Sequence, residues 1–407
     1  MRRAHLASLL IVLAASLVAR ARIFHLPHRE GDERIYAALL AQVRTGRGYT
    51  LQGHPILSQD WMVAEQYDTP LFYHPPGGLA WFALFTSMFG EHGWDVAELA
   101  AFVVFYLATL ALARDALPSQ PPAAAWTVAV LTGFTPIVAH VSMHRWLDGL
   151  QVAAVALSSW LLVRALRDGG ARTAAAAGGA LVAALLVKQN ALVAAPGLLA
   201  CAWVCADNAS IRVKLRAVAI AGGVALLCVA PWLGAELRAF GTIFPAWAGR
   251  PSARLVAENP FVHHVTAVRT PWVYLRLLPQ TTWTLFPALV TLAIVRPSGR
   301  GARLAAALIG WIALVVAANV ALGAAGYSKL LRYVVLIAPA AIVLAGLAAA
   351  QLTSVAASAP RGIGRRVVYT LAFILAAGVL LEPAHGLQTT RLYPDKAWIR
   401  PLFGEPR

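Results

Sequence analysis

Charge is scarce in this chain. Only 13% of its 407 residues are Asp, Glu, Lys or Arg, while 59% are hydrophobic. That balance excludes a soluble protein built around one large core and defines a polytopic membrane protein. Cysteine is scarcer still, with only Cys201, Cys205 and Cys228, each inside an apolar run. No Cys-x-x-Cys occurs, so neither a zinc framework nor a disulfide framework is implied. Lysine is nearly absent, at 4 residues against 30 Arg. The net charge of +16 does not signal nucleic acid. The Arg residues fall in short clusters between apolar runs, where membrane orientation accounts for them. No internal repeat stands out, and many transporters are built from repeats.

What is abundant is apolar sequence. Eleven segments read as spanning helices: 6–24, 97–114, 122–141, 148–166, 173–188, 190–206, 215–235, 283–296, 303–324, 331–351 and 366–382. Several fall short of the roughly 20 residues that a straight span needs. Met1-Arg2-Arg3 ahead of the first segment reads as a retained signal-anchor. Every second short loop carries Arg, which places the N-terminus inside and the C-terminus outside. Segment 77–90, with Trp81, Phe82, Phe85 and Phe89, reads as an interfacial helix. The expected architecture is therefore an all-α integral membrane protein of about eleven transmembrane helices, with residues 1–382 forming the membrane domain. It has a long first outside loop, 25–96, a second large one, 236–282, and a short outside tail, 383–407.

Against that background the polar residues stand out. Asp32-Glu33 follows the first apolar segment and opens an amphipathic run whose apolar face is Ile35, Ala38, Leu39 and Val43. Carboxylates near a bilayer are costly and usually functional. The bland alternative is that Asp32 caps the helix, and Asp148 at the start of 148–166 has the same alternative. Arg145, Lys188, Lys329 and Arg332 break the charge rule by lying in or beside short outside loops. Single residues of this kind snorkel; four on one face point to an anionic ligand such as phosphate. Two acids beside several cations suit transfer from a phosphate leaving group, one acid taking the acceptor proton while the cations stabilise the departing phosphate. His74, before Pro75-Pro76, is a weak candidate cation because histidine is mostly neutral at pH 7. Glu65 and Asp68 are expected to face solvent, as is Glu382 at the end of the last segment. His25, His28 and the adjacent His263-His264 lack a ligand spacing, so no metal is expected.

These residues, in order, resemble a family. Gly31-Asp32-Glu33-Arg34-Ile35-Tyr36-Ala37, then Gly46, Gly48-Tyr49 and His74-Pro75-Pro76, resemble the first outside loop of GT-C class glycosyltransferases. The branch is that of the protein O-mannosyltransferases and lipid A aminoarabinose transferases. Arg145 to Asp148 resembles that branch's second-loop acid, Leu186-Val187-Lys188 with Pro196 its lysine turn, and Tyr327-Ser328-Lys329 with Arg332-Tyr333 and Pro339 its late basic stretch. The resemblance implies a polyprenyl-phosphate-linked sugar donor, an inverting transfer to a hydroxyl of a lipid, glycan or protein, and no metal cofactor. It implies Asp32 as general base and Asp148 as second acid. Lys188, Arg145, Lys329, Arg332 and His74 would meet the donor phosphate, and Glu33, Tyr36, Tyr73 and Tyr327 would position substrate. The aminoarabinose transferases carry Lys where His74 stands, and the Trp-Trp-Asp motif and soluble domain of oligosaccharyltransferases are absent from this sequence. The expected location is a bacterial inner membrane with the site facing outward. The competing readings are a transporter or flippase for a lipid-linked sugar, whose site would lie near the midplane, and a catalytically silent scaffold.

Overall fold

The computed structural model describes residues 3–25, 31–59, 62, 64–243, 272–324, 331–358 and 363–392. Those residues form helices and turns, with no strand among them. The first seven helices are α1 Arg3–Arg20, α2 Gly31–Arg44, α3 Ala64–Tyr67, α4 Gly77–Phe89, α5 Gly93–Ala116, α6 Pro122–Phe134 and α7 Pro136–Val141. Then come α8 Leu147–Asp168, α9 Ala171–Val187, α10 Ala195–Cys205 and α11 Ile211–Phe240. The chain closes with α12 Val273–Thr281, α13 Leu285–Val295, α14 Gly299–Ala324, α15 Ala338–Ser358 and α16 Ile363–Leu392.

Each of the eleven apolar segments falls on helical structure. Among the described residues, eight stretches are long and apolar enough to cross a membrane. Three further apolar helices, Ala171–Val187, Gln189–Cys205 and Leu285–Val295, are shorter. The protein is thus an all-helical membrane protein, with eight spans supported by length.

Helix α15 is the centre of the bundle, buried along nearly its whole length. Its sequence explains why: Ala-Pro-Ala-Ala-Ile-Val-Leu-Ala-Gly-Leu-Ala-Ala-Ala is almost free of bulk, and small residues let helix backbones approach closely in a bilayer. A Cβ on Gly346 would stand 2.6 Å from Val128 of α6, so that crossing tolerates only glycine. Helices α6, α13, α14 and α16 pack around α15, while α5, α8, α9 and α11 form an adjoining layer.

Helix α4 folds back beside the start of α5. Trp81 donates its indole N–H to the Ala97 carbonyl at 3.1 Å. Sixteen residues would stretch about 24 Å along one straight helix, so the 40-residue apolar stretch Gly77–Ala116 is a bent pair. Gly90 makes the turn at φ 60°. A Cβ on Gly93 would sit 2.4 Å from the Phe85 carbonyl oxygen, so the return of the chain also needs glycine.

Two side chains correct the sequence reading of this frame. Glu382 is buried rather than facing solvent. It lies inside α16, which continues to Leu392, and it accepts a hydrogen bond from the Thr284 backbone N–H at 2.8 Å. A carboxylate that deep in a bundle is retained only where donors meet it. Arg20, at the end of α1, is also fully buried. Its guanidinium donates to Ser142 Oγ at 2.7 Å and to the Gly133 carbonyl at 2.8 Å, and it lies 3.7 Å from the Phe102 ring centre. It ties α1 to α5 and to the α6–α7 corner.

Candidate active site

The site stands where helix ends meet: the first turns of α2 and α8, the last residue of α9's exit, and the 3-10 stretch Leu331–Ile337 that leads into α15. Helix α2 is amphipathic and lies on its own aromatic bed, Phe72, Tyr73, Phe82 and Trp94, with Leu147 beneath. Its buried apolar residues are Ile35, Tyr36, Leu39 and Leu40, with Glu33 and Gln42 buried beside them. The sequence assigned the stripe to Ile35, Ala38, Leu39 and Val43; Ala38 is half-buried and Val43 is exposed. The stripe is rotated because the large Tyr36 takes the place beside Phe72 that the periodicity gave to smaller residues.

Four charged side chains meet there. Asp32 Oδ2 accepts a hydrogen bond from Arg332 Nη2. Arg332 Nε lies 3.7 Å from Asp148 Oδ2, and Lys188 Nζ donates to that same oxygen at 2.7 Å. Two acids therefore balance two cations in one contiguous chain of contacts. Asp148, Lys188 and Arg332 are almost wholly buried, whereas the Asp32 side chain keeps 30% of its surface exposed. The guanidinium of Arg332 stacks 4.1 Å from the Trp146 ring centre, with Tyr333 5.9 Å away. Such a face-on contact suits the planar, weakly hydrated guanidinium and fixes its direction.

Burial works against ionising Asp32. Arg332 first, and Lys188 after it, outweigh that cost and hold its carboxyl below the ordinary carboxylate value. Burial, followed by the negative charge of Asp32, keeps the Tyr36 phenol protonated and so a hydrogen-bond donor. His74 is pushed down to about 3 by burial and then by Lys188. In this arrangement of the site it is neutral, held so by burial first. Its ring lies 4.4 Å from Tyr73 and 6.5 Å from Tyr36, centre to centre. Its carbonyl accepts from the Tyr49 hydroxyl at 2.9 Å, so the His74-Pro75-Pro76 turn is pinned from behind.

Capping does not account for the acids. Helix α2 begins at Gly31, so Asp32 is inside its first turn. Trp146 occupies the N-cap of α8, and Asp148 gives its Oδ2 to Lys188 while Oδ1 has no hydrogen-bond partner among the described residues.

Two sequence candidates are engaged elsewhere. Arg145 forms a two-pronged pair with Asp95, Nε to Oδ1 and Nη2 to Oδ2, each at 3.0 Å. Glu33 is buried, accepts the Arg145 backbone N–H at 3.0 Å and lies 3.6 Å from His144 Nδ1. Both belong to a clamp that fixes the approach to α8, rather than to the Asp32 cluster. Arg145→Ala should lower stability by about 2–3 kcal/mol, because it takes the two-pronged cation away from the buried Asp95 carboxylate. Asp95→Ala should cost about 1 kcal/mol, because the Arg145 it releases is 23% exposed and can hydrate. Unfolding in detergent measures both; donor KM is expected to stay at the wild-type value in each. Tyr327 and Lys329 lie outside the described residues, as do His28, His263-His264 and most of the 236–282 loop.

Sequence reasoning missed Asp95 and Glu98. Both are buried at the start of α5, and two acids three residues apart at the head of an apolar run were a readable signal. Neither Glu98 oxygen has a hydrogen-bond partner among the described residues. A Cβ on Gly149 would stand 2.6 Å from Glu98 Oε2, so glycine beside Asp148 makes room for that carboxyl.

This arrangement of bundle and helix-end site is the GT-C fold. The chain superposes on the Cupriavidus metallidurans ArnT structure bound to undecaprenyl phosphate with TM-score 0.57 and 16% identity, covering 95% of this chain and 75% of that one. It superposes on the apo Archaeoglobus fulgidus oligosaccharyltransferase with TM-score 0.63 and 14% identity, covering 96% of this chain but 56% of that one. The same archaeal enzyme, AglB, in complex with an inhibitory peptide and a dolichol-phosphate, gives TM-score 0.59 and 12% identity over 96% of this chain and 56% of that one. Residues 73–234 match the family described as dolichyl-phosphate-mannose-protein mannosyltransferase. That stretch carries Asp148 and Lys188, while Asp32 and Arg332 lie on either side of it. A comparison with curated protein sequences finds no match.

Proposed function

We propose that this protein is a membrane glycosyltransferase that moves a sugar from a polyprenyl-phosphate carrier to an acceptor hydroxyl. The observation that carries the reading is the cluster itself: a partly exposed, ionised Asp32 in contact with Arg332, with Lys188 held one carboxylate away. In the reaction, the acceptor O–H gives its proton to Asp32. The acceptor oxygen attacks C1 of the sugar from the face opposite the phosphate, and the C1–O bond to phosphate breaks with inversion. The bonding pair leaves on the polyprenyl phosphate, whose added negative charge falls to Arg332 and Lys188. Asp148 holds Lys188 in place as the second acid. Tyr36 and Tyr73 would position the sugar, and no metal is required because the cations already supply the leaving-group charge.

The membrane setting supports this reading over transport. Transport sites lie near the midplane on broken helices, whereas Asp32 and Asp148 stand in the first turns of their helices. The alternation of Arg-rich loops supports an outward-facing site, and the location we propose is a bacterial inner membrane. The donor sugar is a hexose or pentose, and the aromatic and proline content of the 236–282 loop suits contact with a lipid, glycan or protein acceptor. Tyr327 and Lys329 stay candidates for the same phosphate. The test is sugar transfer from polyprenyl-phosphate donors in membranes carrying wild type or Asp32→Asn at equal abundance. Transfer that depends on Asp32 supports the reading; full transfer by the variant overturns Asp32 as base, and no transfer by wild type from any donor overturns the enzyme.

A further inference from the structure

Lys188 is gripped from two directions by one helix. Its ammonium goes to Asp148 in the first turn of α8. Its backbone carbonyl accepts from the Gln151 side-chain amide Nε2 at 2.8 Å, and the same Nε2 also reaches Asn190 Oδ1 at 2.6 Å. Residues three apart on a helix share a face, so Asp148 and Gln151 present a single two-point receptor for this residue.

Lys188 stands where two helices fail to join. Helix α9 stops at Val187, Lys188 takes an extended backbone at φ −152° and ψ 129°, and a 3-10 stretch begins at Gln189. The Lys188 carbonyl accepts the Ala191 backbone N–H at 3.2 Å, the first bond of that 3-10 stretch, and the Gln151 amide is a second donor to the same oxygen. Gln151 is itself fully buried, and its Oε1 has no hydrogen-bond partner among the described residues. A buried glutamine with half of its amide unsatisfied is a net cost to the fold; leucine or methionine there would pack without it. The polar side chain is explained by what its N–H groups hold.

We infer that Gln151 is a positioning residue: it fixes the backbone of Lys188, and through it the place of the ammonium that receives the donor phosphate. The inference rests on the proposed function for the identity of that anion. Its energetic consequence lies in placement, since displacing a charge-stabilising group by about 1 Å can cost up to about 100-fold. A purely structural glutamine would affect the fold without regard to Lys188.

The experiment is a double-mutant cycle on the full-length protein in nanodiscs, reading the dissociation constant for undecaprenyl phosphate. Gln151→Met, close in shape but without the donors, should weaken binding about tenfold, and Lys188→Met should weaken it further. The two together should bind no worse than Lys188→Met alone, because Gln151 acts only through that ammonium. Asn190→Ala, which removes the second anchor of the amide at a half-buried position, should give a smaller loss in the same direction and serves if Gln151→Met does not fold. Unchanged binding in Gln151→Met or, where that variant fails to fold, in Asn190→Ala overturns the inference. So does a loss that adds in full to that of Lys188→Met. Sugar transfer by the same preparations is read separately. Wild type that binds the lipid phosphate but transfers no sugar overturns the proposed function and leaves the positioning role standing, whereas wild type that does not bind it overturns both.

Discussion

Asp32→Asn should lower sugar transfer by about 10²–10⁴-fold, the usual worth of a general base, with protein abundance unchanged. Asparagine keeps the shape of aspartate and accepts a hydrogen bond from Arg332 through its amide oxygen, but it cannot take a proton from an acceptor hydroxyl. Arg332 is only 9% exposed, but its Nε keeps the Asp148 carboxylate 3.7 Å away, so neutralising Asp32 leaves that buried cation a partner. Loss of transfer therefore reports chemistry rather than folding. If Asp32 only balanced Arg332, the variant would instead keep its kcat and change only in stability.

The pH dependence of the same reaction follows from the sign of the Asp32 shift. Arg332 and Lys188 overcome the effect of burial and hold the carboxyl below its ordinary value. The base is thus ionised across the neutral and mildly acidic range, and kcat is expected to stay level as the pH falls until below the range in which an ordinary aspartate takes up its proton. His74, with its pKa near 3, contributes no step between pH 5 and 8. A rate that instead halves near pH 6.5 would put an ordinary histidine in the reaction and displace Asp32. The low pKa also makes Asp32 a weak base, which fits a transition state in which the phosphate departs well before the acceptor proton moves.

The all-helical membrane fold was legible because it is written in composition: long apolar runs are a one-dimensional signal, and eight of them, among the described residues, are long enough to span. Asp32 and Asp148 were legible for a related reason, since a carboxylate at the edge of an apolar run is costly wherever it sits. What the sequence does not carry is pairing. Arg145, Lys188 and Arg332 all read as unmatched cations on one face. Their partners stand 50, 40 and 300 residues away, and only the folded bundle separates the Arg145–Asp95 clamp from the Lys188–Asp148 and Arg332–Asp32 contacts. Gln151 was invisible because a glutamine within an apolar helix has no periodic signature; its meaning comes from the carbonyl it holds. Glu382 was misplaced because helix ends read as solvent-exposed, while α16 runs on for ten more residues past it.

Lys188→Met is expected to destabilise the protein by about 3 kcal/mol as well as to weaken donor binding by more than Gln151→Met does. Its ammonium lies 2.7 Å from Asp148 Oδ2, and both side chains are nearly excluded from solvent. Removing one partner of such a pair leaves a buried charge and costs about 3–5 kcal/mol. Arg332 Nε remains 3.7 Å from the same carboxylate oxygen, which places the cost at the low end. The two effects come apart in the double variant Lys188→Met with Asp148→Leu. Replacing both members of a buried pair by apolar groups of similar size is often neutral or stabilising, so unfolding in detergent should return to the wild-type midpoint or above it. Transfer should stay lost, because the leaving phosphate has only Arg332 to meet it. Recovery of both stability and transfer would mean that the Lys188–Asp148 pair serves the fold alone. A stable, inactive protein would locate the function of the pair in the charge that it keeps available.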